Sequence, residues 1–269
     1  MIRLAFRFDD PSETSNQAVE AGVIEALRRH GACATLAVIP FSMVDGQKIA
    51  LSAARAQPLV AALQDGIVEI AQHGHCHRRC APEPALPTEF AGLPRDDQTA
   101  LIQSGREHLE SIFGPCISGF VPPWNTYDRD TLLALDRLGF QYLAAGQRNI
   151  PHLLNLKTIP VTAYLRDFPD LLDEAARFRL ANPVIVVVLH HHDFAESGAA
   201  NATTDLAAFD AILATIRRTP DILVTTLAAI ARNLHTDTTR LMRHQFWGRY
   251  RYVRHLLPLI NHRTGSASR

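Results

Sequence analysis

The sequence has few cysteines and no long apolar run. Its four cysteines, in 269 residues, are too few and too scattered for the disulfide framework of a small secreted protein. The longest uninterrupted apolar run, VIVVVL at 184–189, is far shorter than a membrane span. Arg7 interrupts the apolar N-terminus, so the hydrophobic region of a signal peptide cannot form there. These absences lead us to expect a soluble cytoplasmic protein whose thiols are reduced.

The chain also lacks a net charge. It has 27 basic and 27 acidic residues, so its overall charge does not point to a nucleic-acid partner. The charges are unevenly placed, because residues 238–269 contain seven arginines and no acidic residue. With 47% hydrophobic residues, the rest of the chain can form one large core. We therefore expect one domain over residues 1–237, followed by a basic aromatic tail over 238–269 that is helical in part.

Predicted strands alternate with predicted helices along the domain. The hydrophobic patterns predict strands at residues 2–8, 33–40, 67–73, 116–121, 141–146, 156–161, 183–189 and 222–227, and helices at 12–30, 48–64, 96–113, 128–138, 168–180, 205–218 and from 228. This alternation is typical of parallel strands joined by crossover helices. About seven such units favour an α/β fold of the (β/α) barrel type over an open sheet.

Four polar clusters stand where predicted strands end. They are Asp9-Asp10, His73–His77, Pro122–Asn125 and His190–Asp193. In a parallel barrel the carboxyl ends of the strands share one face, and active sites are built on that face. We therefore expect the four clusters to converge, although they are far apart in the chain.

The segment EIAQHGHCHRRC, residues 69–80, contains three histidines and two cysteines as candidate metal ligands. His73, His75 and His77 would share one face of a strand, whereas only His73 and His77 would share one face of a helical turn. Three histidines can form a catalytic zinc site, and Cys76 or Cys80 could instead complete a closed structural site. The composition favours a metal site over the alternative interpretation, a solvated loop. The spacing alone selects no ligand set.

The other clusters each have a functional and a structural interpretation. Asp9-Asp10 could divide metal binding and proton transfer between them, or simply form a strand exit. Pro122-Pro123 stiffen the chain, and Trp124 could line a sugar or acyl pocket or pack in the core. His190–His192 follow the most apolar strand, where unpaired histidines are costly, so at least one is expected to be functional. Asp193 could orient a neighbouring imidazole or cap a helix.

The ordered set FDD, H-x-x-x-H, a PP-aromatic loop and an apolar strand ending in histidine resembles the polysaccharide deacetylase family, the chitooligosaccharide deacetylase homology domain. The resemblance covers most of residues 2–232 and implies a distorted (β/α) barrel, usually of seven strands. It also implies roles for site residues: Asp9 as general base, Asp10, His73 and His77 as metal ligands, and His190, or His191 if the register differs by one, as general acid.

The resemblance implies a metal-dependent hydrolase that removes an N-acyl group, acetyl in the first place, from an amino sugar or glycan. One divalent ion is expected, most simply Zn²⁺. The expected substrate-binding residues are Pro123, Trp124, Asn125, His191 and His192. His75, Cys76 and Cys80 are then expected to pack in the protein or to contact the metal ligands without binding the ion themselves. The alternatives are a hydrolase of non-carbohydrate amides and a catalytically silent barrel that binds a glycan.

The sequence departs from the family pattern near the predicted base. Val121 stands where family members commonly have an arginine that tunes the base through a later aspartate. No clear Asp-x-x-Asp-Trp motif is present, although Asp167 and Asp170 lie in the corresponding region. These departures indicate a divergent branch, in which the surroundings of Asp9 differ from the family pattern.

The tail RLMRHQFWGRYRYVRHLLPLINHR interleaves arginines with aromatic and aliphatic residues. Such a segment could lie on an anionic membrane surface and bring the protein to a lipid-linked glycan. The alternative, which we favour, is a final helix packed on the barrel or at a homo-oligomer interface.

Overall fold

A computed structural model of the chain describes residues 1–80, 87–145, 155–168 and 184–233. The predicted helix after Phe168, the position of Asp170 and the basic tail at 238–269 lie outside these ranges. Within them, no helix is long and apolar enough to cross a membrane.

Strands and helices alternate along the chain. The strands are β1 Ile2–Asp9, β2 Ala34–Val38, β3 Phe41–Val44, β4 Gln47–Ala50, β5 Val68–His73, β6 Gly119–Val121, β7 Tyr142–Ala144, β8 Lys157–Ile159, β9 Ala163–Tyr164, β10 Val184–Leu189 and β11 Ile222–Val224. The helices are α1 Gln17–His30, α2 Ala53–Gln64, α3 Arg95–Phe113, α4 Arg129–Arg137, α5 Leu206–Arg218 and α6 Leu227–Arg232.

One curled sheet of parallel strands organises the fold. Its order is β8-β7-β6-β5-β2-β1-β10-β9, and β11 pairs in addition with the first residues of β1. The two ends of this order, β8 and β9, are joined by residues 160–162, so the sheet curls until its first and last strands are neighbours in the chain. Counted together as one bent strand, they bring the barrel to about seven strands, which confirms the predicted distorted (β/α) barrel.

Two predicted helices were wrong at their starts. The helix predicted from residue 12 begins only at Gln17, after the side chain of Asn16 accepts from the backbone N–H groups of Ala18 and Val19. Residues 48–50 belong to an antiparallel hairpin of β3 and β4, and α2 begins only at Ala53, after Ser52 caps it by accepting from the backbone N–H of Arg55. Asp45 and Gly46 both have positive φ, 49° and 79°, as a tight hairpin turn requires. The Asp-Gly pair was the sequence signal for this hairpin.

The two faces of the curled sheet pack differently. Large apolar side chains of the outer face form the main core with the helices. The inner face carries small side chains, among them Ala5, Ala37 and Ala71, on three neighbouring strands. Because side chains alternate along a strand, Arg7 and Asp9 share this inner face with Ala5. The small neighbours therefore leave room inside the barrel for two charged side chains.

Candidate active site

The polar clusters that follow the strands converge at the carboxyl edge of the sheet. Side-chain ligand atoms of Asp10, His73 and His77 all lie within 4.8 Å of one another. Oδ1 of Asp10 is 3.1 Å from Nε2 of His73 and 3.7 Å from Nε2 of His77. β1 and β5 position this triad, because Asp10 follows β1 directly and His73 ends β5.

The hydrogen bonding of His73 shows that the triad fits a cation. Its Nδ1 lies 2.9 Å from the carbonyl oxygen of Val121, which can only accept, so Nδ1 carries the hydrogen. In a neutral ring, Nε2 then presents a lone pair to Oδ1 of Asp10, which is buried and has no hydrogen-bond partner among the described residues. One carboxylate and two imidazoles are a donor set that suits Zn²⁺ and similar ions. A divalent ion would satisfy these facing lone pairs.

In the absence of an ion, a proton on Nε2 of His73 can lie between this nitrogen and the carboxylate of Asp10. Burial raises the pKa of Asp10, but a hydrogen bond from protonated His73 and the charges of nearby histidines outweigh it and hold that pKa well below its ordinary value. Burial lowers the pKa of His73, but Asp10 and the charge of Asp9 raise it overall. Burial and the charge of His73 lower the pKa of His77. Bound metal and the proton on His73 should therefore compete.

Asp9 is held separately from the triad. Its carboxylate is buried and accepts hydrogen bonds from Arg7, with Nε 2.9 Å from Oδ1 and Nη2 2.6 Å from Oδ2. Sequence reasoning missed Arg7, although an arginine inside a buried strand, two residues before an aspartate on the same face, was a usable signal. Val121, at the position where an arginine was expected, is buried inside the barrel. An arginine therefore does contact the predicted base, but it comes from β1.

His190 lies on the other side of Asp9. Its Nε2 is 3.8 Å from Oδ2 of Asp9, and its Nδ1 is 3.5 Å from Oδ2 of Asp193. The same Asp193 oxygen accepts from the backbone N–H of His190 at 2.7 Å. Burial lowers the pKa of His190, but the contact with Asp193 and the negative charges of three aspartates raise it above its ordinary value. This imidazole is therefore suited to carry a proton.

The two histidines after His190 have different surroundings. Nε2 of His191 lies 3.0 Å from Oε1 of Glu20, which also pairs with the buried Arg55. His191 therefore points into a buried ionic network, and its predicted contact with substrate stays a prediction. His192 is exposed, and its ring stacks on that of His190 with centroids 4.8 Å apart. Among these histidines, His190 lies beside Asp9, and His192 contacts the ring of His190.

The turn after β6 brings an aromatic ring to the site. Trp124 and Asn125 have positive φ, 53° and 54°, so the chain turns sharply after the two prolines. Trp124 is 37% exposed, and its ring centroid lies 4.4 Å from that of His77. Pro123 is buried, and the side-chain oxygen of Asn125 faces Arg7. Of the three predicted substrate-binding residues on this turn, Trp124 offers an open surface.

Glu89, which sequence reasoning also missed, holds the histidine loop in place. Its carboxylate accepts from the backbone N–H groups of His75, Cys76 and Arg78, at 2.9, 2.7 and 3.3 Å. Gly74 is required beside it, because a Cβ there would lie 2.2 Å from Oε2 of Glu89. No local sequence signal predicts the role of Glu89, since it lies within residues 81–94, where the sequence has no steady periodicity.

The histidine and the cysteines outside the triad lie near Glu89. His75 is buried and packs on Phe41, with ring centroids 4.8 Å apart. Burial and the charge of Glu89 raise the pKa of Cys76 to about 12, so this thiol is protonated and a poor ligand in the metal-free protein. Sγ of Cys80 donates to the backbone oxygen of Glu89 at 3.1 Å. His75, Cys76 and Glu89 also offer ligand atoms within 4.8 Å of one another, so the packing roles of the three side chains stay predictions.

The role of Glu89 leads to a testable prediction. In Glu89→Gln one side chain oxygen becomes an NH₂ group that cannot accept, so the loop carrying His77 loosens. We expect the affinity for Zn²⁺ to fall by about 10- to 100-fold, as is typical when a residue that orients a ligand is lost. Metal titration of the purified variant measures this, with the surface variant Glu107→Gln as control. An unchanged affinity would contradict the positioning role.

Strained backbone is concentrated around this site. Six described residues other than glycine have positive φ, and four of them are Asp10, His77, Trp124 and Asn125. Such conformations are costly for residues with a Cβ and persist only where the surrounding structure enforces them. Two residues of the triad and the turn beside them are therefore held in place by the fold.

Comparisons with known proteins agree with this fold. A family sequence profile described as polysaccharide deacetylase matches residues 3–143, a little more than half of the chain. A solved protein from Mycobacterium smegmatis, assigned as a polysaccharide deacetylase, is 18% identical, with 86% of this chain and 89% of that one covered and a TM-score of 0.58. Comparison with curated protein sequences finds no match.

Two further solved structures share the fold. A family 4 acetyl xylan esterase from Clostridium thermocellum, in complex with cobalt, is 15% identical, with 85% of this chain and 89% of that one covered and a TM-score of 0.53. A CE4 family pseudoenzyme from Bacillus anthracis is 14% identical, with 85% and 64% covered and a TM-score of 0.51. At these identities the likeness establishes the fold.

Proposed function

Because the chain belongs to the polysaccharide deacetylase family, we propose that it is a metal-dependent hydrolase that removes an N-acyl group, acetyl in the first place, from an amino sugar or glycan. The observation that carries this proposal is the placing of three distinct parts at one edge of the barrel. These parts are a triad of side chains that could hold a metal ion, a separate buried carboxylate on Asp9 and the imidazole of His190 beside it.

We propose that Asp10, His73 and His77 hold one divalent ion, Zn²⁺ as the first candidate. When bound there, such an ion would polarise the acyl carbonyl and acidify the attacking water. The cobalt held by the Clostridium thermocellum relative supports a divalent ion in this fold.

Asp9 is the proposed general base. Both of its oxygens accept hydrogen bonds from Arg7, so the carboxylate that would take up the proton of the attacking water is held in a fixed orientation. In the turn after β6, the backbone N–H of Trp124 is the proposed donor to the developing oxyanion, since Pro122 and Pro123 have no N–H. The exposed ring of Trp124 would contact the sugar.

His190 is the proposed general acid that protonates the departing amine. Its Nε2 is on the side of Asp9, while Asp193 contacts both its Nδ1 and its backbone N–H. An amide nitrogen is a very poor leaving group as an anion, so a proton must reach it as the C–N bond breaks. The Asp193 contact keeps the imidazole oriented and charged for this step.

The Asp193→Asn variant is expected to lose activity at a lower pH than the wild type. A general acid works only while protonated, so the alkaline limb of the kcat profile follows the pKa of His190. Asp193 raises that pKa, and removing its charge lowers the pKa and moves the limb toward lower pH. Profiles of kcat against pH measure this, with Asp130→Asn on α4 as control. Coincident alkaline limbs would exclude His190 as the acid.

The direct test is hydrolysis by the purified full chain. We expect acetate release from N-acetylglucosamine oligomers, loss of this activity with a chelator, and recovery with added Zn²⁺ or Co²⁺. Acetylated xylan and linear and cyclic amides serve as competing substrates, because one relative is an acetyl xylan esterase and the non-carbohydrate amide alternative stays open. Turnover of an amide but of no glycan would replace the proposed substrate class.

A catalytically silent protein is the other outcome to test. One relative with this fold is described as a pseudoenzyme. Tight binding of metal and of N-acetylglucosamine oligomers, without turnover of any substrate tested, would identify this chain as a glycan-binding barrel. The presence of both Asp9 and His190 at the site favours the enzyme.

A further inference from the structure

Arg7 is among the most deeply buried charged residues described. Its side chain is 1% exposed and lies on the inner face of the barrel. Nε and Nη2 donate to the two oxygens of Asp9, at 2.9 and 2.6 Å. This bidentate contact fixes the plane of the carboxylate as well as its position, whereas a single hydrogen bond fixes only the position.

The remaining donors of Arg7 reach two other parts of the barrel. Nη1 donates to the backbone oxygen of Ala144, at the end of β7, at 2.9 Å. Nη1 and Nη2 also approach the side-chain oxygen of Asn125, at 3.4 and 3.3 Å. One guanidinium therefore connects the carboxylate of Asp9 with β7 and with the turn that carries Trp124.

This arrangement requires an arginine. The planar guanidinium presents several donors in a fixed fork, whereas a lysine ammonium is a single point on a flexible stem. The buried charge is neutralised by Asp9, and the small side chains of Ala5, Ala37 and Ala71 leave room on the inner face. The fork leaves Oδ2 of Asp9 3.8 Å from Nε2 of His190.

We propose that Arg7 is the positioning residue of the catalytic carboxylate. It acts through Asp9, by fixing the direction of both oxygens, and through Asn125, by fixing the turn beside the site. It does not itself contact the reacting atoms. This inference rests on the proposed function, because it assigns Arg7 a role in the same reaction.

Arg7→Lys and Arg7→Met test the proposal. Both are expected to lower kcat by about 10²-fold, the usual cost of a small misplacement of a catalytic group, with KM and metal content unchanged. Arg106→Met is the matched control, because Arg106 also binds a carboxylate, of Glu110, and a backbone oxygen, of Leu138, away from the site. This control should keep the wild-type kcat, and thermal unfolding shows whether each variant is folded.

A double variant separates positioning from general packing. If Arg7 acts through Asp9, adding Arg7→Met to Asp9→Asn should cost no further kcat, because effects of residues that act as a unit are not additive. An equal fall in both backgrounds would overturn the proposal, and so would a folded Arg7→Lys protein with wild-type kcat. An inactive wild type would overturn the proposed function first. These results are distinguishable, since the inference on Arg7 fails alone only when the wild type is active.

Discussion

Asp9→Asn is expected to lower kcat for deacylation by about 10²- to 10⁴-fold, the range that a general base contributes. The amide keeps the shape of the carboxylate but cannot accept a proton from the attacking water. Bound metal should stay at the wild-type level, because Asp9 is outside the triad of Asp10, His73 and His77. Steady-state kinetics together with metal analysis of the same sample check both halves of this prediction.

The control for Asp9→Asn must separate lost chemistry from lost stability. Removing the carboxylate leaves the buried guanidinium of Arg7 without its counter-charge, and such a change destabilises a fold. The double variant Arg7→Met/Asp9→Asn removes both charges and should unfold at a higher temperature than Asp9→Asn. If it is equally inactive, stability is not the cause. Retention of most of the wild-type kcat in a folded Asp9→Asn would exclude Asp9 as the base.

His73→Ala is expected to remove both bound metal and activity. The variant deletes the ligand that is most deeply buried and that is held by the carbonyl oxygen of Val121, so Asp10 and His77 remain as an incomplete pair. We expect kcat to fall by at least about 10³-fold, because loss of the ion removes the activated water and the polarised carbonyl together. Metal analysis after dialysis and an activity assay measure the two effects.

His75→Ala is the matched control for His73→Ala. His75 is a buried histidine two residues along, and its Nε2 has no hydrogen-bond partner in the part of the chain that the structure describes. This variant should keep metal and most of the activity. If metal is instead lost in Cys76→Ser or Cys80→Ser and kept in His73→Ala, the ion is bound elsewhere and the proposed mechanism fails.

The sequence predicted the barrel because its signals are local. Each strand and helix has its own period, and turn residues separate them, so the alternation could be followed without any contact information. The hairpin of β3 and β4 was missed because β4, Gln47–Ala50, is exposed along its whole length and has no apolar face. Antiparallel pairing with β3, and not a periodic hydrophobic pattern, defines this strand.

The site was predictable in its parts but not in its internal contacts. Strand-end placement brought Asp10, His73 and His77 together, yet the positive φ of His77 depends on backbone hydrogen bonds to Glu89, which no spacing rule reveals. Arg7 was considered only as a break in an apolar run. Its partner Asp9 is only two residues away in the sequence, but an arginine is needed there because both side chains lie inside the barrel, where an isolated carboxylate would be costly.

The left-handed backbone of Asp10, His77, Trp124 and Asn125 sets a limit on engineering this protein for heat resistance. Glycine adopts such conformations without a steric penalty. A screen that selects only for a higher melting temperature would therefore favour replacement of these four residues by glycine. Asp10→Gly and His77→Gly would relax the chain while deleting a ligand. Selection for thermostability in this protein should therefore exclude the four positions, or be coupled to a screen for turnover.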